Sequence, residues 1–448
     1  MNVRAVSAVN YRLLFVLLLS GFIPTIYSTL RVHFLGSLPD TWAFSIAAQI
    51  AWLNVGYEVI NEALLLPLVF LLGQVINEKT NEQFSQRFSG AAVVYLAVYC
   101  LMTVGVFSFS PWLISAMQHS PELLKDTTEY IRLEAVAILI SSIAELFVLA
   151  LVLKDAQKKL YAFIALKTAL IMGLDTLFVS QLPFSLQLGI NGIACTNIVT
   201  NSILCALALC WFFRQGAINL SMVSRDTAWM RSWLRIGMKS GLESFVRNAA
   251  FIIMILQLVN QVKQAGTFWV TNQFVWGWLL LPVMALGQLV RQDAACSKGL
   301  TTTKVNAYLM LTGVITLVWL MSIPLWEGFI EHVMGISDYQ NVYQLALLML
   351  GFYVVFAFNN VIDSYFYGMG RTDLMLYQSL AVNTLFYGSA YIAYVQGMFI
   401  PNLQSIAMMF GMGMTCDALI TFGLYLHVRR KEAHAEKNAV SDELVSYV

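Results

Sequence analysis

The chain consists of long apolar runs separated by short polar stretches. A helix that crosses a bilayer needs about 20 predominantly apolar residues, because each residue advances the helix by about 1.5 Å. The runs are long enough for this, and they predict twelve membrane-spanning helices. These helices are expected at residues 13–35, 44–75, 89–117, 124–153, 160–181, 188–213, 232–262, 266–296, 305–332, 340–369, 374–397 and 403–428.

Composition supports the same class of protein. Hydrophobic residues make up 59% of the 448 residues, and charged residues make up 11%. A soluble domain has about 25% charged residues, so a soluble globular protein is excluded, and so is a disordered chain. The net charge of +1 provides no basic surface for nucleic acid. The predicted fold class is an all-α membrane protein.

The placement of Lys and Arg predicts the orientation. With twelve spans, both termini lie on one side, and that side carries 22 of the 26 Lys and Arg residues. Positive loops stay in the cytoplasm, so a plasma-membrane protein with cytoplasmic termini is expected. The predicted organisation is a cytoplasmic N-terminus (1–12), an N-lobe with helices 1–6 (13–213), a cytoplasmic linker (214–231), a C-lobe with helices 7–12 (232–428) and a cytoplasmic tail (429–448).

The two predicted lobes contain similar sequences. A Leu-Leu-Leu-Pro pattern ends at Pro67 and again at Pro282, and a Leu-Gly-Gln pattern ends at Gln74 and again at Gln288. The two separations are 215 and 214 residues. Many transporters are built from two related halves with the binding site between them.

The first helix of each lobe shows the same separation. Gly21–Arg31 aligns with Gly237–Arg247 at an offset of 216 residues, and both segments begin with glycine and end with arginine. Two pseudo-symmetric six-helix bundles around a central cavity are therefore expected.

Several motifs resemble those of one transporter family. Leu174–Phe178 reads Leu-Asp-Thr-Leu-Phe, and it precedes Leu-Gly-Ile-Asn-Gly-Ile-Ala-Cys-Thr at Leu188–Thr196. This pair is similar to the span-five and span-six signature of the multidrug and toxic compound extrusion (MATE) family, within the multidrug/oligosaccharidyl-lipid/polysaccharide flippase (MOP) superfamily. The Leu-Gly-Gln ends and the turn at Gly368–Asp373 also resemble the family. The resemblance implies a V-shaped transporter that exports solutes against an inward flux of H⁺ or Na⁺.

Two positions depart from the family pattern. The family usually carries an aspartate on span one where this chain has Arg31, and an asparagine on span five where this chain has Ile171. Asp175 is the one member of that N-lobe cation site that this chain retains. The familiar N-lobe site is therefore altered, although Asp175 remains a candidate for ion coupling.

Arg31 and Arg247 occupy equivalent positions in the repeat. Arginine stays protonated and binds carboxylate or phosphate in bidentate geometry, so the pair are candidates for anion binding in the cavity. The alternative is two structural ion pairs. Glu243 lies four residues before Arg247, on the same helix face, and is one possible partner.

Glu58 and Glu62 are four residues apart on span two, with Asn61 beside them. Two like charges on one buried face are costly when both are ionised, so a role in ion coupling is one hypothesis. The alternative hypothesis pairs one of them with Arg31 across a helix interface.

Asp363 on span ten and Glu243 on span seven are the further coupling candidates, because the family resemblance implies acids on these two spans. Asn359 lies four residues before Asp363 and is a candidate for the cavity, together with Asn61, Gln273, Trp276 and Tyr365. A structural role is the favoured interpretation for five other charged residues of the spans, with ion coupling as the alternative for Asp175. These residues are Glu134, Glu145, Lys167, Asp175 and Asp417.

The expected function is secondary-active export of a bulky organic solute by H⁺ or Na⁺ antiport, with H⁺ favoured because no oxygen-rich Asp/Asn cluster is evident. Neither a Walker motif nor a catalytic HExxH or GxSxG motif occurs, so neither ATP-driven transport nor an enzyme is expected. No cofactor and no metal site are predicted, and the expected partners are a small organic substrate and the lipid bilayer around a monomer. One alternative is a transporter or flippase for an anionic metabolite or lipid-linked phosphate that uses Arg31 and Arg247. A membrane scaffold or receptor is a third hypothesis.

Overall fold

Helices account for nearly all of the described structure. The computed structural model describes residues 9–39, 42–78, 81–153, 157–215, 227–296, 300–369 and 371–446, and these ranges contain no β-strand. Helices that follow one another with at most one residue between them share a number below. The first half of the chain forms α1 (Tyr11–Gly36), α2 (Ala43–Ala48 and Ile50–Glu78), α3 (Asn81–Ala116), α4 (Leu124–Leu153), α5 (Gln157–Phe178) and α6 (Asn191–Gln215).

The second half forms segments of similar length, several of them interrupted by single π-helical turns. These are α7 (Thr227–Phe251, Ile252–Leu256 and Gln257–Gln261), α8 (Ala265–Phe274, Val275–Leu279 and Leu281–Cys296), α9 (Thr302–Gly328 and Phe329–Val333), α10 (Tyr339–Gly368), α11 (Thr372–Ala381, Val382–Tyr387 and Gly388–Val395) and α12 (Leu403–Ser446). A π-turn inserts an extra residue into the helical ladder and is common at functional sites.

The apolar character of these segments confirms the all-α membrane class. Among the described residues, nine helices are long and apolar enough to cross a membrane, and they belong to α1–α6, α9, α10 and α12. A tenth results if α8, which bends by 53° after Leu279, counts as one span. The arginines of α7 lower its hydropathy, and α11 is divided into short helices, so the number twelve remains a prediction.

The predicted linker and the predicted tail can be compared with the helix bounds of the structure. Residues 216–226 of the predicted linker lie outside the described residues, and α7 already begins at Thr227. At the other end α12 continues as a helix to Ser446, through most of the predicted tail.

The two halves contact each other through equivalent pairs of helices. α2 of the first half packs on α7 of the second, and α1 of the first packs on α8 of the second. The sequence repeat relates α1 to α7 and α2 to α8, so these two contacts are counterparts. The boundary between the halves therefore contains two pairs of helices that the sequence repeat relates to each other.

We call the side on which α1 begins the inner side, and the side on which it ends the outer side. On the inner side α2 and α7 approach backbone to backbone. Cβ atoms added at Gly237 and Gly241 would overlap Ala63, so only glycine fits at these positions of α7. The indole Nε1 of Trp233 donates to the carbonyl oxygen of Leu64 at 2.9 Å. These contacts hold the inner ends of the halves together.

Polar contacts join the halves on the outer side. The side-chain amides of Gln49 and Asn260 bond to each other at 2.8 and 3.1 Å, and both residues are buried. Asn260 also donates to the carbonyl oxygen of Met117 at 2.9 Å. Nearer the end of α1, Nδ1 of His33 lies 3.1 Å from the carbonyl oxygen of Val333. Contacts between the halves are therefore present on both sides of the bundle.

Candidate substrate cavity and ion sites

A cavity of 610 Å³ lies between the halves, in the region between the inner and outer contacts. Residues of α1, α2, α4, α5 and α6 line it from the first half, and residues of α7, α8 and α12 line it from the second. Small-molecule pockets in proteins typically measure about 300–1,000 Å³. The cavity is therefore large enough for an organic solute, and a movement of one half against the other would change its shape.

Arg31 lines this cavity and forms a two-point ion pair with α5. Its Nε lies 2.9 Å from Oδ2 of Asp175, and its Nη2 lies 3.2 Å from Oδ1. The same Nη2 donates to Oδ1 of Asn197 on α6 at 3.1 Å. Asp175 is almost completely buried, so the guanidinium compensates a charge that would otherwise be isolated.

Glu134 on α4 joins the same network through Asn197. The amide Nδ2 of Asn197 donates to both carboxylate oxygens of Glu134, at 2.9 and 3.0 Å. Glu134 is buried at the wall of the cavity and also hydrogen-bonds with Tyr130. Asp175 and Glu134 are therefore both bonded to protein groups, and Arg31 supplies the positive charge of this network.

Lys167 and Asn54 line the cavity in a different way. The side chains of both residues are exposed, Lys167 on α5 and Asn54 on α2. Neither makes a hydrogen bond or ion pair with any residue in the described ranges. They are therefore among the polar groups of the cavity wall that remain available to a solute, and Lys167 is the charged one, whereas Arg31, Glu134 and Asn197 are joined in one network.

Aromatic and amide side chains of α8 form the opposite wall. Gln273 and Trp276, both expected in the cavity, line it together with Trp269. Oε1 of Gln273 accepts a hydrogen bond from Ser28 of α1 at 3.0 Å, so this amide also joins the halves. The wall combines flat apolar surface with a few polar groups, which suits an organic ring.

Arg247, Glu62 and Glu58 meet outside the cavity lining. Nη2 of Arg247 on α7 lies 2.8 Å from Oε1 of Glu62 and 3.7 Å from Oε1 of Glu58, both on α2. The partner of these glutamates is therefore Arg247 and not Arg31, which the sequence had offered as one alternative. The group lies about one helical turn inward of the cavity residue Phe251, where it joins the two halves.

Asn61 also lies outside the cavity lining, in a cluster of tyrosines. Its Oδ1 accepts hydrogen bonds from the hydroxyls of Tyr95 at 2.7 Å and Tyr99 at 2.8 Å. The hydroxyl of Tyr95 also lies 2.6 Å from a carboxyl oxygen of Glu145. This cluster joins α2, α3 and α4 within the first half.

Asp363 belongs to a polar cluster between α10, α11 and α12. Nδ2 of Asn359 lies 2.9 Å from Asp363 and 3.0 Å from Asp417, so one amide bridges the two carboxyl groups. Gln378 donates to Asp417 at 2.6 Å, and Thr421 donates to Asp363 at 3.2 Å. The buried amide oxygens of Asn359 and Gln378 have no hydrogen-bond partner among the described residues. The cluster therefore concentrates oxygen atoms, away from the central cavity.

Two further candidates have different positions. Tyr365 is buried, and its ring lies 5.1 Å from the guanidinium carbon of Arg429, outside the residues that line the cavity. Glu243 lies on α7, but its side chain is outside the described residues, so its relation to Arg247 stays a prediction.

No group of three or more His, Cys, Asp and Glu residues that could hold a metal occurs in the described ranges.

Sequence reasoning interpreted Lys167, Glu134 and Asp417 as structural and did not select Asn197. The signal for Lys167 was present, because it lies four and eight residues before Ile171 and Asp175, on one face of a helix. Asp175 faces Arg31 inside the bundle, so the same face carries Lys167 inward. Glu134, Asn197 and Asp417 depend on which helices cross, and no local spacing indicates this.

The fold is that of known transporters. A MATE-family multidrug resistance transporter of the MOP superfamily, in an inward-facing conformation, superposes with a TM-score of 0.74 at 16% identity, over 92% of this chain and 95% of that chain. The lipid II flippase MurJ, in an inward closed conformation, gives 0.69 at 11% identity, over 92% and 87%. A MOP-superfamily transporter from Pyrococcus furiosus with reversed binding-pocket polarity gives 0.60 at 16% identity, over 96% and 98%.

At these identities the similarity establishes the fold. The MATE-like architecture implied by the motifs is thereby confirmed, as is a multi-pass membrane protein. No protein-family model and no curated protein sequence matches the chain.

Proposed function

We propose that this protein is a secondary-active transporter that exports a bulky organic solute from the cytoplasm by alternating access. The observation that carries the proposal is the cavity between the halves, which residues of both halves line and which has contacts between the halves on either side. Breaking the inner contacts would open the cavity to one side, and breaking the outer contacts would open it to the other. Two related bundles that rock about a central site are the usual means of alternating access.

The cluster around Asp363 and Asp417 is the proposed site of ion coupling. Two carboxylates bridged by one amide repel each other when both are ionised, and a bound proton or Na⁺ relieves this repulsion. The preference for H⁺ rested on the lack of an oxygen-rich cluster, whereas these carboxyl, amide and hydroxyl oxygens form one. We therefore propose that the coupling ion is H⁺ or Na⁺, and that the experiment below decides between them.

The proposed setting is the plasma membrane, with both termini in the cytoplasm and the inner side facing the cytoplasm. The distribution of Lys and Arg supports this orientation. In this setting the protein works as a monomer without ATP or a cofactor, and it catalyses no covalent reaction.

Transport into proteoliposomes tests the proposal. Purified protein is reconstituted, and the uptake of ethidium (a cation) and carboxyfluorescein (an anion) is followed under an imposed pH gradient, an imposed Na⁺ gradient or neither. We expect accumulation of one dye under one gradient, and none without a gradient or with protein-free liposomes. Equal uptake with and without both gradients would exclude coupling, and no uptake of either dye would leave the flippase or the scaffold hypothesis.

One alternative has support from the fold. MurJ, a lipid II flippase, has a similar structure, and a flippase for a lipid-linked phosphate would also use a charged central cavity. The version of this alternative that relies on two arginines is not favoured, because Arg247 bonds to Glu62 outside the cavity lining. Accessibility of a fluorescent polyprenyl phosphate to dithionite in the same liposomes measures flipping directly.

A further inference from the structure

Lys167 places an ammonium group midway along the membrane-spanning helix α5, without a partner among the described residues. It lies on α5 between Gln157 and Phe178, its side chain is exposed, and it lines the cavity. A lysine at the centre of a membrane helix costs roughly 2.5–3.5 kcal/mol on insertion scales. Such residues are normally paired, and yet no acid within the described ranges lies within ion-pair distance of Lys167.

The other charged groups of the cavity are already engaged. Arg31 bonds to Asp175 and Asn197, and Glu134 accepts two bonds from Asn197. Binding a solute through these groups would require breaking contacts that compensate buried charge. Lys167 can bind a solute without breaking a contact to a described residue, and so can the amide of Asn54.

The wall contributed by α8 is aromatic. Trp269 and Trp276 line the cavity together with Phe268 of the same segment. Trp276 is 40% exposed, so a large part of its ring is available for contact. A ligand that satisfies both sets of groups carries an anionic group and a flat apolar ring.

We propose that Lys167 binds the carboxylate or phosphate of an anionic aromatic solute, whose ring packs against Trp269 and Trp276. This inference rests on the proposed transport function, and it assigns the class of substrate. It moves the anion-binding role from the arginine pair to a lysine, because Arg31 is occupied and Arg247 lies outside the cavity lining. A charged hydrogen bond to Lys167 would supply the partner that the ammonium lacks among the described residues.

The competing explanation is that Lys167 only balances the negative charges of nearby acids such as Glu145. The two explanations differ in what the loss of the charge changes. If Lys167 only balances charge, its removal lowers thermal stability and affects all ligands equally. If it binds substrate, its removal leaves the melting temperature unchanged or higher and weakens anions selectively.

Quenching of tryptophan fluorescence provides a test that does not require transport. Detergent-purified protein is titrated with 4-nitrobenzoate, with 4-nitrophenyl phosphate and with the matched cation 4-nitrobenzylammonium, since nitroaromatic rings near Trp269 and Trp276 quench them. We expect saturable quenching by at least one of the two anions, and the stronger one identifies carboxylate or phosphate as the preferred group. Lys167→Met should raise the anion Kd at least about tenfold, as expected for the loss of a charged hydrogen bond.

Two variants control this experiment. Lys167→Arg keeps the charge and should retain most of the anion affinity. Lys159→Met removes a lysine from the same helix that lies 5.7 Å from the ring of Trp211 and outside the cavity lining, and it should leave every Kd unchanged. Melting temperatures of all variants show that the protein is folded.

The outcomes separate this inference from the proposed function. Anion binding that depends on Lys167, without ion-driven uptake of any probe, would retain the site and reject the exporter. Ion-driven transport combined with unchanged anion affinity in Lys167→Met would reject the site and retain the exporter. If Lys167→Met does not fold, wild-type protein decides, because tighter binding of the cation than of both anions overturns the proposal.

Discussion

Arg31 and Asp175 form a two-point ion pair across α1 and α5, with nitrogen–oxygen distances of 2.9 and 3.2 Å. The carboxylate is buried, and its charge is compensated by a group of the protein itself. The first half of the chain therefore contains a permanent cation at a place where the resembling family usually has an acid. The two halves therefore differ in the chemistry of their buried acids, because the second half has two acids bridged by an amide and no such cation among the described residues that bond to them.

Replacing Arg31 with alanine should destabilise the protein strongly. The change leaves the carboxylate of Asp175 buried and uncompensated, and breaking such a pair costs about 3–5 kcal/mol. A lower melting temperature of the purified variant measures the effect. Adding Asp175→Asn to Arg31→Ala should recover part of the loss, because it removes the isolated charge. A melting temperature equal to that of wild type in Arg31→Ala would contradict a structural role of the pair.

Neutralising Asp363 or Asp417 should uncouple transport from the ion gradient. Asp363→Asn and Asp417→Asn each remove one of two mutually repelling charges, so the melting temperature should stay the same or rise. Gradient-driven uptake in proteoliposomes should be lost, while the quenching of cavity tryptophans by bound solute should remain.

The matched control for these variants is Asp373→Asn, in the first turn of α11. This carboxylate is exposed and bonds to the guanidinium of Arg371, which lowers its pKa. Its neutralisation should leave coupling intact. Normal gradient-driven uptake in both Asp363→Asn and Asp417→Asn would exclude the cluster as the coupling site.

The ion pair between Arg247 and Glu62 should stabilise the closed inner side. Both side chains are partly exposed, at 38% and 27%, so we expect an effect on overall stability of only about 0–1 kcal/mol. The expected effect of Glu62→Gln is on the distance between the halves. Spin labels at positions 83 and 235, in a variant whose six cysteines are replaced by alanine, should show a longer distance distribution. The exchange Arg247→Glu with Glu62→Arg should restore the short distance, whereas Arg247→Glu by itself should not.

Acidification should lower the free energy of unfolding of the protein through His119, which lies between α3 and α4. Burial lowers the pKa of this imidazole to about 4, and its Nε2 lies 3.1 Å from the hydroxyl of Thr127. The unfolded chain has the ordinary pKa of about 6.5. Between pH 6.5 and pH 4 the unfolded state binds a proton at His119 and the folded state does not. The contribution of neutral His119 to stability is therefore complete above pH 6.5 and is lost as the pH falls towards 4.

Melting temperatures of wild type and His119→Asn, measured from pH 7.5 to 3, isolate this contribution. Wild type should lose more stability than the variant over this interval, and the difference should stop growing below pH 4. Parallel curves for the two proteins would show that His119 does not titrate as its burial implies.

The sequence predicts the helices better than it predicts their contacts. Long apolar runs mark most spans because a helix in lipid must be apolar over its length, irrespective of its neighbours. α7 is a weaker case, because its arginines lower its hydropathy, and one of them, Arg247, bonds to Glu62 of α2. The alignment of Gly237–Arg247 with Gly21–Arg31 supports α7 as the equivalent of α1. The glycines of α7 are visible in the sequence, but their partner Ala63 is visible only in the fold.

In the candidate site, too, the sequence indicates individual residues better than the contacts between them. Gln273 and Trp276 are candidates from the sequence, and both line the cavity because α8 lies at the boundary between the halves. The family resemblance pairs Asp363 with Glu243, whereas in the structure the amide of Asn359 bridges Asp363 to Asp417, 54 residues further along the chain. That pairing depends on the packing of α10 on α12, and helical periodicity carries no information on which helices pack together.

The glycine contact between α7 and Ala63 has a consequence for how the inner side opens. Where two backbones touch without interlocking side chains, the attraction is dispersion, which weakens steeply within about an ångström of separation. Trp233 adds one hydrogen bond, which is lost over a similarly short displacement. A partly open inner side is therefore stabilised by neither the glycine contact nor the hydrogen bond of Trp233. The inner side should be bistable, either fully sealed or fully parted, with few intermediate positions between these states.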